Sequence, residues 1–323
     1  MVDHGPAQIG PPLPAMTGAR PRSGSGSRTA LAGLAVALLL ALGTGCAYIE
    51  VKEKEFIWRP SATTWWSTFD AKANGVEELW IARNGEAIQP AAGAPEEIAG
   101  DRLHAWWWPH VRSDAPVMLY LHGARWNLQG NAFRIARFRN MGFAVLAIDY
   151  RGFGKTGGDL PSEADAYADA AIALEYLKKL VPDPARRYVY GHSLGGAVAI
   201  DLASRNDDLA GIIVESTFTS IRDMAGTYTL LRFLPISLIL TQHYDSLSRI
   251  EKVRVPKLFV HGTRDAFVPA WMSERLFERA TGEKRMLVVE GANHSNATGV
   301  GFEQYRVALQ EFFRIGPQRS AGI

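Results

Sequence analysis

The sequence predicts an α/β domain of three layers: a mostly parallel sheet, helices on both of its faces, and a small cap insertion. Three observations predict it. Continuous apolar runs recur at Val117–Leu121, Phe143–Ile148, Gly211–Glu215 and Lys257–His261, and such runs fit strands buried on both faces. Helical stretches alternate with them, the βαβ rhythm of a covered parallel sheet. Between two of these runs stands Gly191-His192-Ser193-Leu194-Gly195, a G-x-S-x-G turn that joins a strand end to a helix of small residues.

Composition narrows the function. The 323 residues are 47% hydrophobic and 21% charged, ordinary for a globular domain. Removing the leader's three arginines and one aspartate from the totals of 35 basic and 33 acidic residues leaves 32 of each. A neutral body without a basic stripe makes nucleic acid an unexpected partner. Eight histidines without H-x-H or H-E-x-x-H spacing, and a single cysteine, lead us to expect no metal and no cofactor.

Residues 1–46 read as a leader. Arg20, Arg22 and Arg28 precede an apolar run from Ala30 to Leu42, the order of a secretory signal. The run is shorter than the roughly 20 residues of a membrane span. Gly43-Thr44-Gly45 then precede Cys46, which resembles a bacterial lipoprotein processing site with Cys46 as the lipidated N-terminus. The pattern departs from the resemblance in having Gly43 three residues before the cysteine, with Leu42 one place further back. Ordinary signal cleavage and an uncleaved anchor are the alternatives. All three place the body, 47–323, outside the cytoplasm, and lipidation at Cys46 makes a membrane surface its partner.

Residues 47 to about 114 read as β-rich, with Phe56-Ile57-Trp58 closed by Pro60 and strands at Glu77–Ala82 and Arg102–Trp108. Alternation puts Trp106 and Trp108 on one face and Trp107 on the other, as sheet packing or as a ligand platform. After Val117–Leu121 comes a helix over Phe133–Met141, and Pro161-Ser162-Glu163 opens a long helix to about Leu180. The elbow helix runs to about Arg205. The rhythm breaks over 216–255, an apolar stretch split by Pro235, expected as a cap-like insertion. It resumes with a helix around Trp271–Ala280, a strand at Met286–Val289 and a helix from about Phe302 to Ile315.

Asp265 and His294 each lie just past the end of a predicted strand, as Ser193 does, and ligand sites of open α/β sheets collect at such strand ends. Five stretches then carry a resemblance in fixed order: Leu121-His122-Gly123, Asp149-Tyr150-Arg151-Gly152-Phe153-Gly154, Gly191-His192-Ser193-Leu194-Gly195-Gly196, His261-Gly262-Thr263-Arg264-Asp265 and Gly291-Ala292-Asn293-His294. From about Phe56 onward the chain resembles the α/β-hydrolase superfamily, in particular its serine-aminopeptidase-like and monoglyceride-lipase-like esterase branch.

The resemblance implies an α/β-hydrolase fold and a Ser193–His294–Asp265 triad. Ser193 would attack, His294 would move the proton and Asp265 would orient the ring. The backbone amides of Leu194 and Ala124 would bind the oxyanion, although the loop at Ala124 is not of the H-G-G-G type. Glu215, at a neighbouring strand tip, is the rival acid. His192 reads as a structural hydrogen-bonder, and His122 and His261 as loop ties. Arg151 reads as a brace or a substrate contact, Trp126 as acyl-pocket lining or loop packing, and Asp245 as a local cap. The expected substrate is a small-molecule carboxylic ester, with lipid-like acyl groups suggested by the apolar insertion. Peptide or thioester cleavage by the same triad is one alternative. A catalytically inactive, lipid-anchored binding protein is the alternative of another class.

Overall fold

The computed structural model describes residues 47–60, 68–88, 102–228 and 239–316, together with Met1. The leader reading, including Cys46, and the apolar run around Pro235 lie outside the described residues. By packing, the chain divides into two units, Met1–Ile49 and Glu50–Ile323. The second unit holds the sheet and the helices that cover it.

Nine strands form one sheet: β1 (Glu77–Ala82), β2 (Ala87–Ile88), β3 (Arg102–Trp108), β4 (Val117–Leu121), β5 (Ala144–Ile148), β6 (Arg187–His192), β7 (Gly211–Glu215), β8 (Lys257–Gly262) and β9 (Lys284–Val289). Their spatial order is β2-β1-β3-β5-β4-β6-β7-β8-β9. The first three pairings are antiparallel and the five from β5 to β9 are parallel. β4 through β7 are buried at nearly every position, which is why they read as unbroken apolar runs.

The two faces carry separate cores. Val117, Leu119 and Leu121 of β4 pack with helices α3 (Glu163–Leu180) and α4 (Leu194–Ser204). Met118 and Tyr120 pack on the opposite side with α2 (Leu128–Asn140) and α9 (Phe302–Phe313). The three-layer reading therefore holds strand by strand. Trp106 and Trp108 join the second core, against Phe69, and Trp107 packs on the first. This is sheet packing, as alternation requires.

Several boundaries differ from the sequence reading. Residues 47–58 are helical (α1) rather than part of a β-rich segment. The physical reason lies upstream of the aromatic run. Ion pairs Lys54–Glu50 and Lys52–Glu55 at helical spacing support the turn, and Trp58 is buried at its end. α2 begins at Leu128, five residues before the expected Phe133, because the Asn127 side chain caps it by accepting from the Gly130 amide. α3 starts where expected, closed by a capping box between Ser162 and Asp165. Within 216–255 the described pieces are the short helices α5 (Ile221–Gly226) and α6 (Ser246–Ile250). Asp245 caps α6 through the Ser248 amide. After β8 come α7 (Ala270–Arg279) and, unforeseen in the sequence, a four-residue helix α8 (Ala297–Val300).

Candidate active site

Ser193 sits between β6 and α4 with φ 54° and ψ −118°. A side chain in such a region costs roughly 1–3 kcal/mol and persists only where its surroundings enforce it. Here they do. The Ser193 amide donates to the Glu215 carbonyl at 2.8 Å, and the Thr217 hydroxyl donates to the Ser193 carbonyl at 2.8 Å. Glycine is required on either side of the turn. A Cβ on Gly191 would run into the Gly195 carbonyl, and one on Gly195 into the carbonyls of Leu121 and His122. A Cβ on Gly123 would lie 3.3 Å from that of Ser193, so the loop after β4, which carries Ala124, abuts the elbow.

The loops after β8 and β9 bring the other two residues to it. They are laced together: the Arg264 amide donates to the Ala292 carbonyl at 2.8 Å, and the Gly291 amide to the Thr263 hydroxyl at 2.9 Å. His294 Nδ1 lies 2.8 Å from Asp265 Oδ2, and its Nε2 lies 3.1 Å from Ser193 Oγ. An ionised carboxylate can only accept, so Nδ1 carries the proton, and Nε2 is left to accept from the serine hydroxyl. Asp265 Oδ1 accepts two amides, those of Phe267 and Val268, each at 2.9 Å. Burial pushes this carboxyl up. The hydrogen bond to His294, with the two amides, outweighs burial and holds it below its ordinary value.

Glu215 does not reach His294. Its carboxylate points the other way and accepts from the Tyr305 hydroxyl at 3.0 Å. His192 is buried and donates from Nε2 to the His294 carbonyl at 2.7 Å. Burial, with Arg134 and His294 nearby, keeps its ring far below the ordinary histidine value and so neutral. His261 donates to the Val268 carbonyl at 3.0 Å and accepts from the Ser273 hydroxyl at 2.8 Å, so it ties the Asp265 loop to α7. His122 donates to the Gly123 carbonyl at 2.6 Å. Arg151 is held by Asp165 and Asp169 of α3, the arrangement of a brace. Trp126 is half-buried, and its carbonyl accepts from Asn131.

Three neighbours of the site are given no role in the sequence reading. Arg134 of α2, buried among Tyr120, Tyr190 and Glu215, donates to the Ser295 carbonyl at 2.5 Å. Its spacing from Asn131 and Phe138, three and four residues away on the buried side of α2, was the available signal. Asp149 accepts from His104 and from the Leu128 amide, joining β3, the end of β5 and α2. Phe267 lies against His294 with ring centroids 5.0 Å apart. Among the described residues no group of three or more His, Cys, Asp or Glu is arranged to hold a metal ion.

Comparison with known proteins bears on this arrangement. The family described as serine aminopeptidase, S33, matches residues 113–246. An uncharacterized protein of Mycobacterium tuberculosis is 37% identical over 199 residues, covering 61% of this chain and 69% of that one. The lysophosphatidylserine lipase ABHD12 of Danio rerio is 30% identical over 199 residues, covering 56% of this chain and 51% of that one. The solved esterase Pf2001 of Pyrococcus furiosus superposes with a TM-score of 0.58 at 19% identity, covering 79% of this chain and 95% of that one.

Proposed function

The chain belongs to the α/β-hydrolase superfamily, and from that premise we propose that it is a serine hydrolase that cleaves carboxylic esters through an acyl-enzyme. The observation that carries this reading is the unbroken hydrogen-bonded line from Asp265 through His294 to Ser193. A serine hydroxyl is a weak nucleophile at neutral pH, and a neutral Nε2 within hydrogen-bond reach is what activates it.

Ser193 Oγ attacks the ester carbonyl while its proton passes to His294 Nε2. Asp265 stabilises the imidazolium so formed without taking the proton. The amides of Leu194, at the first position of α4, and of Ala124 are the proposed oxyanion donors. Supporting this is the close approach of the Gly123 loop to Ser193, and a helix N-terminus favours developing negative charge. The imidazolium then gives its proton to the departing alkoxide. Water repeats the sequence on the acyl-enzyme and restores Ser193.

The named lipase and esterase among the similar proteins support an ester, and a lipid-like acyl group in particular. The family description supports a second reading, amide cleavage at a peptide N-terminus by the same triad. A panel of acyl esters beside aminoacyl amides separates them by kcat/KM. A fluorophosphonate probe tests the class as a whole: wild type is labelled and Ser193→Ala is not. An unlabelled wild type overturns the enzyme reading in favour of a binding protein.

We also infer that residues 1–46 are a lipoprotein leader and that Cys46 carries an anchor, holding the domain at a membrane surface outside the cytoplasm. The apolar run before Cys46 supports this. Mass analysis of the mature N-terminus tests it, and a chain retaining Ala30–Leu42 would refute it.

A further inference from the structure

We infer that Phe267 forms the floor on which the leaving alcohol rests, and that it selects esters of apolar alcohols. The inference rests on the serine-hydrolase reading above. Among the described residues His294 is in ring contact with two neighbours. One is the buried His192, at 4.9 Å between centroids. The other is Phe267, at 5.0 Å and tilted by 56°. Phe267 is 46% exposed, so a large part of its ring faces outward beside the histidine.

An exposed phenyl ring leaves a large apolar area in water, and covering it is favourable at about 25 cal/mol per Å². Its backbone is held in place. The Phe267 amide is held by Asp265 Oδ1, the same carboxylate that orients His294 through Oδ2. The backbone that carries the ring and the imidazole are therefore held by one carboxylate.

Chemistry decides what can cover the ring. When the tetrahedral intermediate collapses, the bond between the carbonyl carbon and the alcohol oxygen breaks. That oxygen takes the proton from His294 Nε2 and leaves as a neutral alcohol, while the acyl group stays on Ser193 Oγ. The alcohol oxygen must therefore lie within hydrogen-bond reach of Nε2. Its substituent consequently lies near the imidazole, where Phe267 is the exposed apolar surface in contact with the ring. The acyl chain leaves the same carbon in another direction. By microscopic reversibility, an alcohol that attacks the acyl-enzyme in place of water gives its proton to Nε2 from the same position.

The test holds the acyl group constant and varies the alcohol. Acetyl esters of ethanol, glycerol and benzyl alcohol are compared in wild type, Phe267→Ala and Phe267→Tyr, with fluorophosphonate labelling of Ser193 measured in each. We expect Phe267→Ala to lower kcat/KM for the benzyl ester about tenfold, the ethyl and glyceryl esters changing less than about twofold. Phe267→Tyr should retain the preference. Acyl transfer to added benzyl alcohol, relative to hydrolysis, should fall in parallel in Phe267→Ala. Equal losses for all three alcohols, or none, with labelling intact overturn the inference, the first assigning Phe267 to support of the imidazolium. A wild type that is not labelled overturns this inference together with the reading on which it rests.

Discussion

His192 Nε2 donates to the backbone carbonyl of His294 across 2.7 Å. The residue next to Ser193 in the chain thus holds the loop that carries the histidine facing Ser193. Donation to a carbonyl fixes the His192 tautomer, and burial keeps the ring neutral, so the bond does not switch with pH. We predict that His192→Ala lowers kcat about 10- to 100-fold with little change in KM, because a shift of about 1 Å in a reacting group costs on that order. His192→Gln, which can still donate, should recover part of it. Steady-state kinetics beside a thermal melt check that the loss is not unfolding.

Glu215 ends β7 and Asp265 lies on the loop after the neighbouring β8, and only Asp265 faces His294. Asp265→Asn should lower kcat by about 10⁴-fold, since an amide can donate to Nδ1 and favour the wrong tautomer. Glu215→Gln should leave kcat within about threefold, as its partner is Tyr305. The opposite ranking on a p-nitrophenyl ester would overturn the assignment of the acid.

Arg134 is buried, with the Ser295 carbonyl as its acceptor and Glu215 as a nearby opposite charge. Arg134→Met leaves the Glu215 carboxylate without that charge in the interior. Leaving a buried polar group without a partner costs about 1–3 kcal/mol. Urea unfolding should show this loss, and the Arg134→Met/Glu215→Gln double variant should be more stable than Arg134→Met alone. Additive losses would show that the two charges do not interact.

His104 and Glu78 predict a pH dependence. Burial pulls His104 down, but the hydrogen bond to Asp149 and the nearby Glu78 carboxylate, 3.7 Å from Nε2, outweigh it and raise the ring above its ordinary value. The approach of His104, 3.7 Å away, is the main cause that takes Glu78 down to about 2, against a smaller rise from burial. A raised histidine stabilises below its ordinary value and loses that contribution as pH rises through the raised one. A depressed carboxylate stabilises above its ordinary value and loses its contribution as pH falls toward about 2. Glu78→Gln should therefore lower the melting temperature more at about pH 6 than at about pH 9. An equal loss at both pH values would exclude the coupling.

Gly195 closes against the carbonyls of Leu121 and His122. Gly195→Ala should lower stability by several kcal/mol, on the order of a severe overpacking, and should abolish probe labelling of Ser193. Soluble, labelled Gly195→Ala protein would contradict the tight elbow.

Much of this was legible along the chain. Parallel strands buried on both faces must be apolar throughout, so β4 to β8 announced themselves, and the glycines of the elbow are demanded by local geometry. Local patterns also misled. Phe56-Ile57-Trp58 reads as a strand when taken alone, and the upstream Lys–Glu pairs turn it into the end of a helix. Asn127 started α2 early through a side-chain cap that apolar spacing does not register.

By itself the sequence determined the layer order, the chain positions of Ser193, Asp265 and His294 at strand ends, and the strained turn under the serine. Only the tertiary structure decided which acid meets the histidine, which side chains hold its loop, and which aromatic lies open beside it. The reason is directional. Glu215 shares a face of β7 with Ile213 and points into the core beside Tyr305, while Asp265 sits on a loop hydrogen-bonded to the one that carries His294. A run that is apolar on both faces carries no mark of which way each side chain points. That is settled when the helices of both layers close on the sheet.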